Sequence, residues 1–189
     1  MSPATESSTP TLSPQPPTPM DVPRHETVAC RRPTIADGTR MWEIARDSRV
    51  LDLNSSYAYL MWCRDFHDTS TIAEVDGDVA GFVTGFVRPD DPQTVYVWQV
   101  AVDENARGRG VAAAMLGNLL DHLAHQGVTR LETTISPDNF ASIALFTALA
   151  RNRYTSITKR ELFTPSHFPD THDSEELYVV GDESTEGAR

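Results

Sequence analysis

Apolar residues in the central part of the chain follow two periodicities, and each predicts a different secondary structure. Short apolar or alternating runs bounded by turn residues are typical of β-strands. These runs are residues 27–32, 71–75, 79–87, 95–102, 129–135, 154–163 and 176–180. Elsewhere apolar residues recur at every third or fourth position, which indicates amphipathic helices. The helical stretches are the segment after Thr34, residues 55–66, residues 111–126 and a segment from Ser136 to about Asn152.

Turn and cap residues support this division of the chain. Asp76-Gly77-Asp78 is a hairpin signal between two strands. Thr34 with Asp37 three residues later resembles a capping box, and Ser136 before Pro137 predicts a capping serine followed by proline at the first helical position. The resulting order is strand, two helices, three strands, helix, strand, helix and two strands. It predicts an α/β fold with a mixed sheet and helices packed on its faces.

Composition divides the 189 residues into one folded domain and two tails. Residues 1–26 are rich in proline, serine and threonine, which predicts a disordered segment. This segment lacks the pattern of a secretory signal, a basic stretch followed by an apolar one. Residues 27–180 have the length of one domain, and residues 181–189 are expected to form a short acidic tail.

The net charge of −11 argues against binding to nucleic acid or anionic membranes, because phosphate contacts need clustered lysine and arginine. It suits a cationic substrate, although a solvated acidic surface also accounts for it. No apolar run approaches the length of a membrane span, so a soluble protein is expected. Cys30 and Cys63 are too few for a disulfide framework or a zinc site, which favours a reducing, cytoplasmic setting.

The junction between the strand at 95–102 and the helix at 111–126 has the features of a phosphate-binding loop. Its sequence is Arg107-Gly108-Arg109-Gly110-Val111-Ala112. Glycines allow positive φ and close approach of a ligand, and the first N–H groups of a helix favour a bound anion. The glycine spacing is neither the dinucleotide pattern nor a P-loop. A glycine turn that caps the helix, or a flexible RNA-contacting loop, remains an alternative.

This loop resembles the pyrophosphate loop of the GNAT acetyltransferases, (Arg/Gln)-x-x-Gly-x-(Gly/Ala), here Arg107-x-x-Gly110-x-Ala112 after the strand end Val100-Ala101-Val102. The resemblance implies the GNAT fold, a mostly antiparallel mixed sheet of about seven strands with helices on both faces, and acetyl-CoA as co-substrate. It implies that Asn139 lies near the CoA, although this residue could equally assist the helix start. The cofactor-binding residues so implied are Val100, Val102, Arg107, Gly108, Arg109, Gly110, Val111, Ala112 and Asn139.

One position departs from the common GNAT pattern. Many members carry a tyrosine that protonates the departing thiolate, but counting from Asn139 places Phe146 there, which has no proton to donate. Another acid, water or an unassisted thiolate must then serve. A non-catalytic acyl-CoA-binding module therefore remains an alternative to an enzyme.

Within GNAT, the chain is similar to the L-2,4-diaminobutyrate acetyltransferases of ectoine biosynthesis, which acetylate the N4 amine and serve in osmotic stress protection. The resemblance rests on four stretches: Asp52-Leu53-Asn54-Ser55-Ser56-Tyr57 with Tyr59-Leu60, Trp98-Gln99-Val100-Ala101-Val102, Ser136-Pro137-Asp138-Asn139 and His172-Asp173-Ser174-Glu175-Glu176. It implies a small cationic amino acid as substrate and a homodimer. Acetylation of another primary amine, such as a polyamine, an aminoglycoside or a protein N-terminus, remains open.

The chemistry of amine acetylation selects candidate residues within these stretches. Asp52, Glu175 and Glu176 are candidates for holding the ammonium groups, with Tyr57 supplying a hydroxyl and Trp98 an apolar wall or cation–π face. Asp52 could instead be a solvated loop acid or a cap, and Trp98 could fill the core.

A proton acceptor and an electrophilic donor complete the predicted site. Glu175 or His172 could accept the ammonium proton, with Glu175 preferred, although both could be solvated loop residues. By resemblance, the Val100 N–H would stabilise the thioester oxygen. His122 and His125 lie three apart on a helix without an apparent third ligand, so no metal is expected.

Overall fold

A seven-stranded sheet forms the centre of the computed structural model, which describes residues 28–49, 51–169 and 173–182. The strands are β1 Val28–Arg31, β2 Thr71–Val75, β3 Asp78–Arg88, β4 Asp91–Val102, β5 Arg130–Ile135, β6 Ile157–Phe163 and β7 Glu175–Val180. The helices are α1 Gly38–Ser48, α2 Ser56–Asp65, α3 Val111–Ala124 and α4 Phe140–Asn152. The predicted tail at 1–26 and residues 183–189 lie outside the described residues.

The strand order is β1-β2-β3-β4-β5-β7-β6. All neighbouring strands are antiparallel except β4 and β5, which are parallel. The predicted hairpin joins β2 to β3, with positive φ at Asp76 and Gly77 as a tight turn requires. This topology confirms the predicted GNAT fold class with a mixed, mostly antiparallel sheet.

Helices cover the two faces of the sheet through separate apolar cores. On one face, α1 and α2 contribute Met41, Ile44 and Tyr59, which pack with Phe82 and Ala101 of the sheet. On the other face, the apolar side of α3 and α4 packs against alternate residues of β2 to β5 and β7. Members of that second core include Ala73, Val83, Val95, Val97, Met115, Leu119, Leu131, Phe146, Leu149, Tyr178 and Val180.

A partly buried ion network fixes β1 to the start of the first helix. Arg31 donates to both carboxylate oxygens of Asp37, at 2.8 and 2.7 Å, and to Glu74 at 2.7 Å. The Thr34 backbone N–H and hydroxyl also donate to Asp37, which confirms the predicted capping box, although the first turn it starts is a 3-10 turn. The guanidinium of Arg31, assisted by these Thr34 hydrogen bonds, lowers the pKa of Asp37 to about 2 despite its burial.

The start of α4 differs from the prediction. The helix begins at Phe140 and not at Pro137, and its N-cap is Asn139, whose side chain accepts the Ser142 N–H at 3.1 Å. Residues 136–139 form a turn closed by a hydrogen bond from the Asn139 N–H to the Ser136 carbonyl. The predicted capping serine was wrong because the carboxamide of Asn139 satisfies the helix start three residues later.

Candidate active site

The parallel strands β4 and β5 separate after a short ladder. Their paired residues run only from Thr94↔Arg130 to Tyr96↔Glu132, although β4 continues to Val102 and β5 to Ile135. On its other side, β4 contains a bulge, because Gln99 pairs with Thr84 but the next pair is Val97↔Gly85. Trp98 is therefore the extra residue, and the bulge lies where the two strands diverge. The result is a gap between two strands with unused backbone edges.

The hydrogen bonds of β4 with β3 show which backbone groups face this gap. The Asp103 N–H donates to the Ala80 carbonyl at 2.8 Å, directly beyond the pair Gly81↔Val102. Because bonded and non-bonded pairs alternate along an antiparallel ladder, the N–H groups of Val100 and Val102 point away from β3. They are thus directed to the side where β5 has left the sheet, as expected for groups that bind a thioester or a pantetheine arm.

The glycine loop lies between the end of β4 and α3. Gly108 and Gly110 both have φ of 76°, and a Cβ added at either would meet no atom within 4 Å. The glycines therefore meet a conformational requirement and leave open space beside the backbone. The Ala114 N–H donates to the Gly110 carbonyl, so the helix N–H groups before it, those of Val111, Ala112 and Ala113, precede the first intrahelical bond. This geometry suits an anion.

Side chains around the loop are arranged to leave this surface open. Arg107 and Arg109 are exposed, and the Arg107 Nε donates back to the Val102 carbonyl at 3.3 Å. Asn139, the other residue predicted to lie near CoA, uses its side-chain oxygen to cap α4, so the helix-start interpretation holds and its CoA contact stays a prediction.

Polar and aromatic residues line the sheet face opposite α3 and α4. Val95 and Val97 belong to the α3/α4 core, so Tyr96 points to the other face, where its ring lies 6.4 Å from that of Trp98. Trp98 is 51% exposed, which rules out the alternative that it fills the core. The hydroxyl of Tyr96 lies 3.1 Å from that of Thr134 in β5. Burial raises the pKa of Tyr96, and the nearby Glu175 and Glu132 carboxylates add to the effect.

Glu175 lies on this same face, at the first position of β7. Its neighbours along the strand alternate, with Tyr178 and Val180 in the α3/α4 core and Leu177 outside it. Glu175 Oε1 accepts a hydrogen bond from the Ser136 hydroxyl at 2.9 Å. The predicted base thus has a fixed orientation beside Tyr96 and Thr134. Glu176 points to the opposite face, where Lys159 of β6 holds it at 2.9 Å, so it does not join Glu175.

Asp52 is connected to the site floor through its backbone. Gln99, 6% exposed in β4, donates from Nε2 to the Asp52 carbonyl at 2.9 Å and accepts the Tyr59 hydroxyl at 3.1 Å. These two bonds fix the loop before α2 over the sheet next to Trp98. The Asp52 side chain itself is exposed at the edge of the site.

Two predicted residues are not brought into the site by the described structure. Tyr57 is 66% exposed on α2, and because Tyr59, two positions later, points into the core, Tyr57 faces away from the sheet. His172 lies outside the described residues, so its predicted role stays a prediction. Phe146 is 2% exposed in the α3/α4 core, and its ring has no proton to give.

Sequence reasoning missed three polar residues that the structure places in the candidate site. Ser136 was interpreted as a helix cap, Tyr96 only as a strand residue, and Gln99 only as part of a family stretch. A detectable signal existed for Gln99, since a polar residue in a strand at a buried position needs hydrogen-bond partners. Among the described residues no cluster of histidine, cysteine, aspartate or glutamate could hold a metal ion. The same part of the chain contains no helix long and apolar enough to cross a membrane.

Residues 38–150 match the acetyltransferase (GNAT) family. The chain is 54% identical over 179 residues to an L-2,4-diaminobutyric acid acetyltransferase of Nocardia farcinica, covering 92% of this chain and 93% of that protein. It is also 54% identical over 159 residues to the enzyme of the same name from Streptomyces coelicolor, covering 82% of this chain and 94% of the relative. The chain belongs to the GNAT family, among the L-2,4-diaminobutyric acid acetyltransferases.

Solved structures support the same family. The diaminobutyrate acetyltransferase of Paenibacillus lautus, solved with L-2,4-diaminobutyric acid and coenzyme A, is 44% identical with a TM-score of 0.78 and covers 82% of this chain and 95% of its own. Ard1 of Thermoplasma volcanium, at 20% identity and a TM-score of 0.67, covers 80% of this chain and 95% of its own. That second likeness shows the fold alone. Since the chain belongs to the GNAT family, the gap between β4 and β5 is the gap of an acetyltransferase of that family.

Proposed function

We propose that this acetyltransferase moves the acetyl group of acetyl-CoA to the N4 amine of L-2,4-diaminobutyrate, giving N4-acetyl-L-2,4-diaminobutyrate for ectoine biosynthesis. The observation that carries the proposal is that the gap between β4 and β5 opens beside Trp98, Tyr96 and the Glu175–Ser136 pair. An acyl donor held in the gap would meet an amine held on this face. The relatives named diaminobutyric acid acetyltransferase support the choice of amine.

The donor side of the site binds acetyl-CoA in this proposal. The backbone of residues 107–112 and the first turn of α3 hold the pyrophosphate through N–H groups without intrahelical partners. The arm runs into the gap, where the Val102 N–H is directed toward it. The Val100 N–H then donates to the thioester oxygen as negative charge develops there.

The acceptor side must bind a cation and then remove a proton from it. An aliphatic ammonium with a pKa of roughly 10 is not nucleophilic, so a base is needed near N4. Glu175 accepts this proton, directly or through water, while the Ser136 hydroxyl holds its carboxylate in place. Asp52 attracts the second ammonium from the loop that Gln99 fixes. The exposed ring of Trp98 provides an apolar wall or cation–π contact for the substrate.

The chemical step then needs little more from the protein. The neutral amine attacks the thioester carbon, a C–N bond forms, and the C–S bond breaks to release the CoA thiolate. The nitrogen passes its second proton to water and becomes the neutral amide. Phe146 cannot protonate that thiolate, so water or another acid supplies the proton. The protein then contributes chiefly by positioning the amine against the thioester carbon and by placing the Val100 N–H at the developing negative charge.

A thiol-release assay with diaminobutyrate, ornithine, lysine and spermidine side by side tests the function. We expect the highest kcat/KM with diaminobutyrate and an N4-acetylated product by NMR. A higher kcat/KM with spermidine would assign the chain to another amine, and acetyl-CoA binding without thiol release would make it a non-catalytic module.

Oligomeric state and cellular setting complete the proposal. We expect a cytoplasmic homodimer that needs neither nucleic acid nor membrane, in line with the net charge of −11. An apolar hollow of about 380 Å³ at the end of β6, lined by Leu162, Phe163, His167 and Phe168, offers one contact surface. Light scattering on the purified protein measures this directly, and a monomeric mass would contradict it.

A further inference from the structure

An ion pair between a partly exposed arginine and a nearly buried glutamate lies at the vertex of the gap between β4 and β5. Arg88, at the end of β3, donates from one guanidinium nitrogen to Glu132 of β5 at 2.5 Å. Glu132 is the partner of Tyr96 in the last pair before the strands separate, and its side chain is only 10% exposed. Leu131 belongs to the α3/α4 core, so Glu132 points to the opposite face, which Glu175 and Trp98 share.

Arg88 retains binding capacity beyond this pair. Its side chain is 39% exposed, and among the described residues its hydrogen bonding is limited to the single contact with Glu132. The other N–H donors of the guanidinium are therefore available to a ligand on this face. Burying the Glu132 carboxylate costs desolvation free energy, which a single hydrogen bond from Arg88 offsets only in part. Such an arrangement is expected where a functional arginine must be held in one position.

The substrate has a group for which the site so far provides no partner. Diaminobutyrate carries an α-carboxylate in addition to two ammonium groups, and Asp52 and Glu175 would repel it. A guanidinium is the side chain best suited to a carboxylate, because two parallel N–H donors match its two oxygens.

The position of Arg88 agrees with the length of such a substrate. Tyr96 and Val100 are roughly 13 Å apart at about 3.3 Å per residue of strand. An extended diaminobutyrate covers about 6 Å of this distance from N4 to its carboxylate. The thioester carbonyl held at the Val100 N–H, and a hydrogen bond of about 3 Å from the guanidinium at the vertex, account for most of the remainder. Arg160 also shares this face, but it lies on the edge strand β6, beyond β7 and farther from the gap.

We propose that Arg88, positioned by Glu132, binds the α-carboxylate of the substrate and so selects amino acids over simple diamines. This inference rests on the proposed function. It adds a specificity-determining residue to the site, and it assigns the buried Glu132 to a positioning role, since that carboxylate acts through Arg88.

The test compares diaminobutyrate with 1,3-diaminopropane, which is the same molecule without the carboxylate. The variants are Arg88→Gln and, as a control, Arg31→Gln. Arg31 takes part in an ion pair of matched exposure, 37% and 9% against 39% and 10%, far from the site in β1. For each protein, kcat/KM is measured with both amines, and diaminopropane is measured as a competitive inhibitor where its turnover is below detection.

We expect Arg88→Gln to reduce the preference for diaminobutyrate over diaminopropane at least tenfold, through the KM of diaminobutyrate, with the constants for diaminopropane and acetyl-CoA unchanged. Glu132→Gln should shift the same ratio less, because the arginine remains. Arg31→Gln should lower thermal stability and leave the ratio unchanged.

An unchanged ratio in Arg88→Gln, or an equal loss with both amines, would overturn the inference. These outcomes are distinct from failure of the proposed function, which would appear as a wild-type protein that does not acetylate diaminobutyrate at all.

Discussion

The Ser136 hydroxyl donates a hydrogen bond to Glu175 Oε1 at 2.9 Å, joining the turn after β5 to the first residue of β7. Both residues belong to stretches that resemble diaminobutyrate acetyltransferases, yet they lie 39 positions apart in the sequence. The contact orients the carboxylate toward the face that carries Tyr96 and Trp98. We therefore propose that Ser136 is a positioning residue for Glu175, the proposed base.

Ser136→Ala should lower kcat with diaminobutyrate by about tenfold, equivalent to roughly 1.4 kcal/mol, because a hydrogen bond to a charged carboxylate is lost. The KM for acetyl-CoA should stay unchanged. Ser136→Thr keeps the hydroxyl and should restore most of the rate. Ser156→Ala removes a serine whose hydroxyl donates to the Gly181 carbonyl, away from the gap, and serves as the control. Equal kcat in Ser136→Ala and wild type would exclude the positioning role.

Gly110→Val should raise the KM for acetyl-CoA at least tenfold while the protein stays folded. A β-branched residue adopts φ near 76° only with strain, and its side chain would enter the open space above the loop. Gly77→Val is the matched control, since Gly77 has φ of 91° and equally open surroundings in the β2–β3 hairpin. Both variants should lose comparable thermal stability, but only the first should lose acetyl-CoA affinity. Similar affinities in the two would place the pyrophosphate elsewhere.

Local signals in the sequence were sufficient to predict most helices and strands of the fold, but not the contacts between them. The hairpin at Asp76-Gly77 and the loop at Gly110 could be predicted because positive φ is a property of single residues and their neighbours. The start of α4 could not, since Ser136 and Asn139 are both good caps, and the choice depends on Glu175, which is remote in sequence. The buried Gln99 bonds and the vertex pair at Glu132 likewise depend on strand register, which periodicity does not determine.

Asp37 provides a pH test of stability. Its pKa falls from 3.8 in the unfolded chain to about 2 in the folded one, chiefly through the hydrogen bonds from Arg31. A lowered folded pKa stabilises the protein above the unfolded value, and this contribution disappears as pH falls from about 4 toward 2. Asp37→Asn should therefore cost roughly 2 kcal/mol of unfolding free energy at pH 7 and much less near pH 2.

Urea unfolding of wild type and Asp37→Asn at several pH values measures this difference. Asp47→Asn is the control, because Asp47 forms an exposed pair with Arg46 that water screens, and its effect should be small at every pH. If the difference in unfolding free energy between wild type and Asp37→Asn stays constant from pH 7 to pH 2.5, ionisation of Asp37 in this network does not contribute to stability.

Selectivity between the two amines of diaminobutyrate gives the sharpest test of the site. The carboxylate lowers the pKa of the nearby α-amine relative to N4, so in free solution the α-amine would be deprotonated more readily, and only positioning can direct transfer to N4. If Asp52 and Glu175 hold the ammonium groups, Asp52→Asn and Glu175→Gln should each cut kcat/KM by at least about tenfold, or roughly 1.4 kcal/mol. Acetyl-CoA binding should survive both changes. The control is Glu161→Gln, which changes an exposed glutamate of β6 and should leave the rate unchanged.

NMR analysis of the product should then find some N2-acetylated material in the Asp52 and Glu175 variants, because a loosely held substrate can present either amine to the thioester. Wild-type rates with N4 product alone in both variants would mean that other residues bind the substrate, and that Glu175 and Ser136 are paired for structure and not for catalysis.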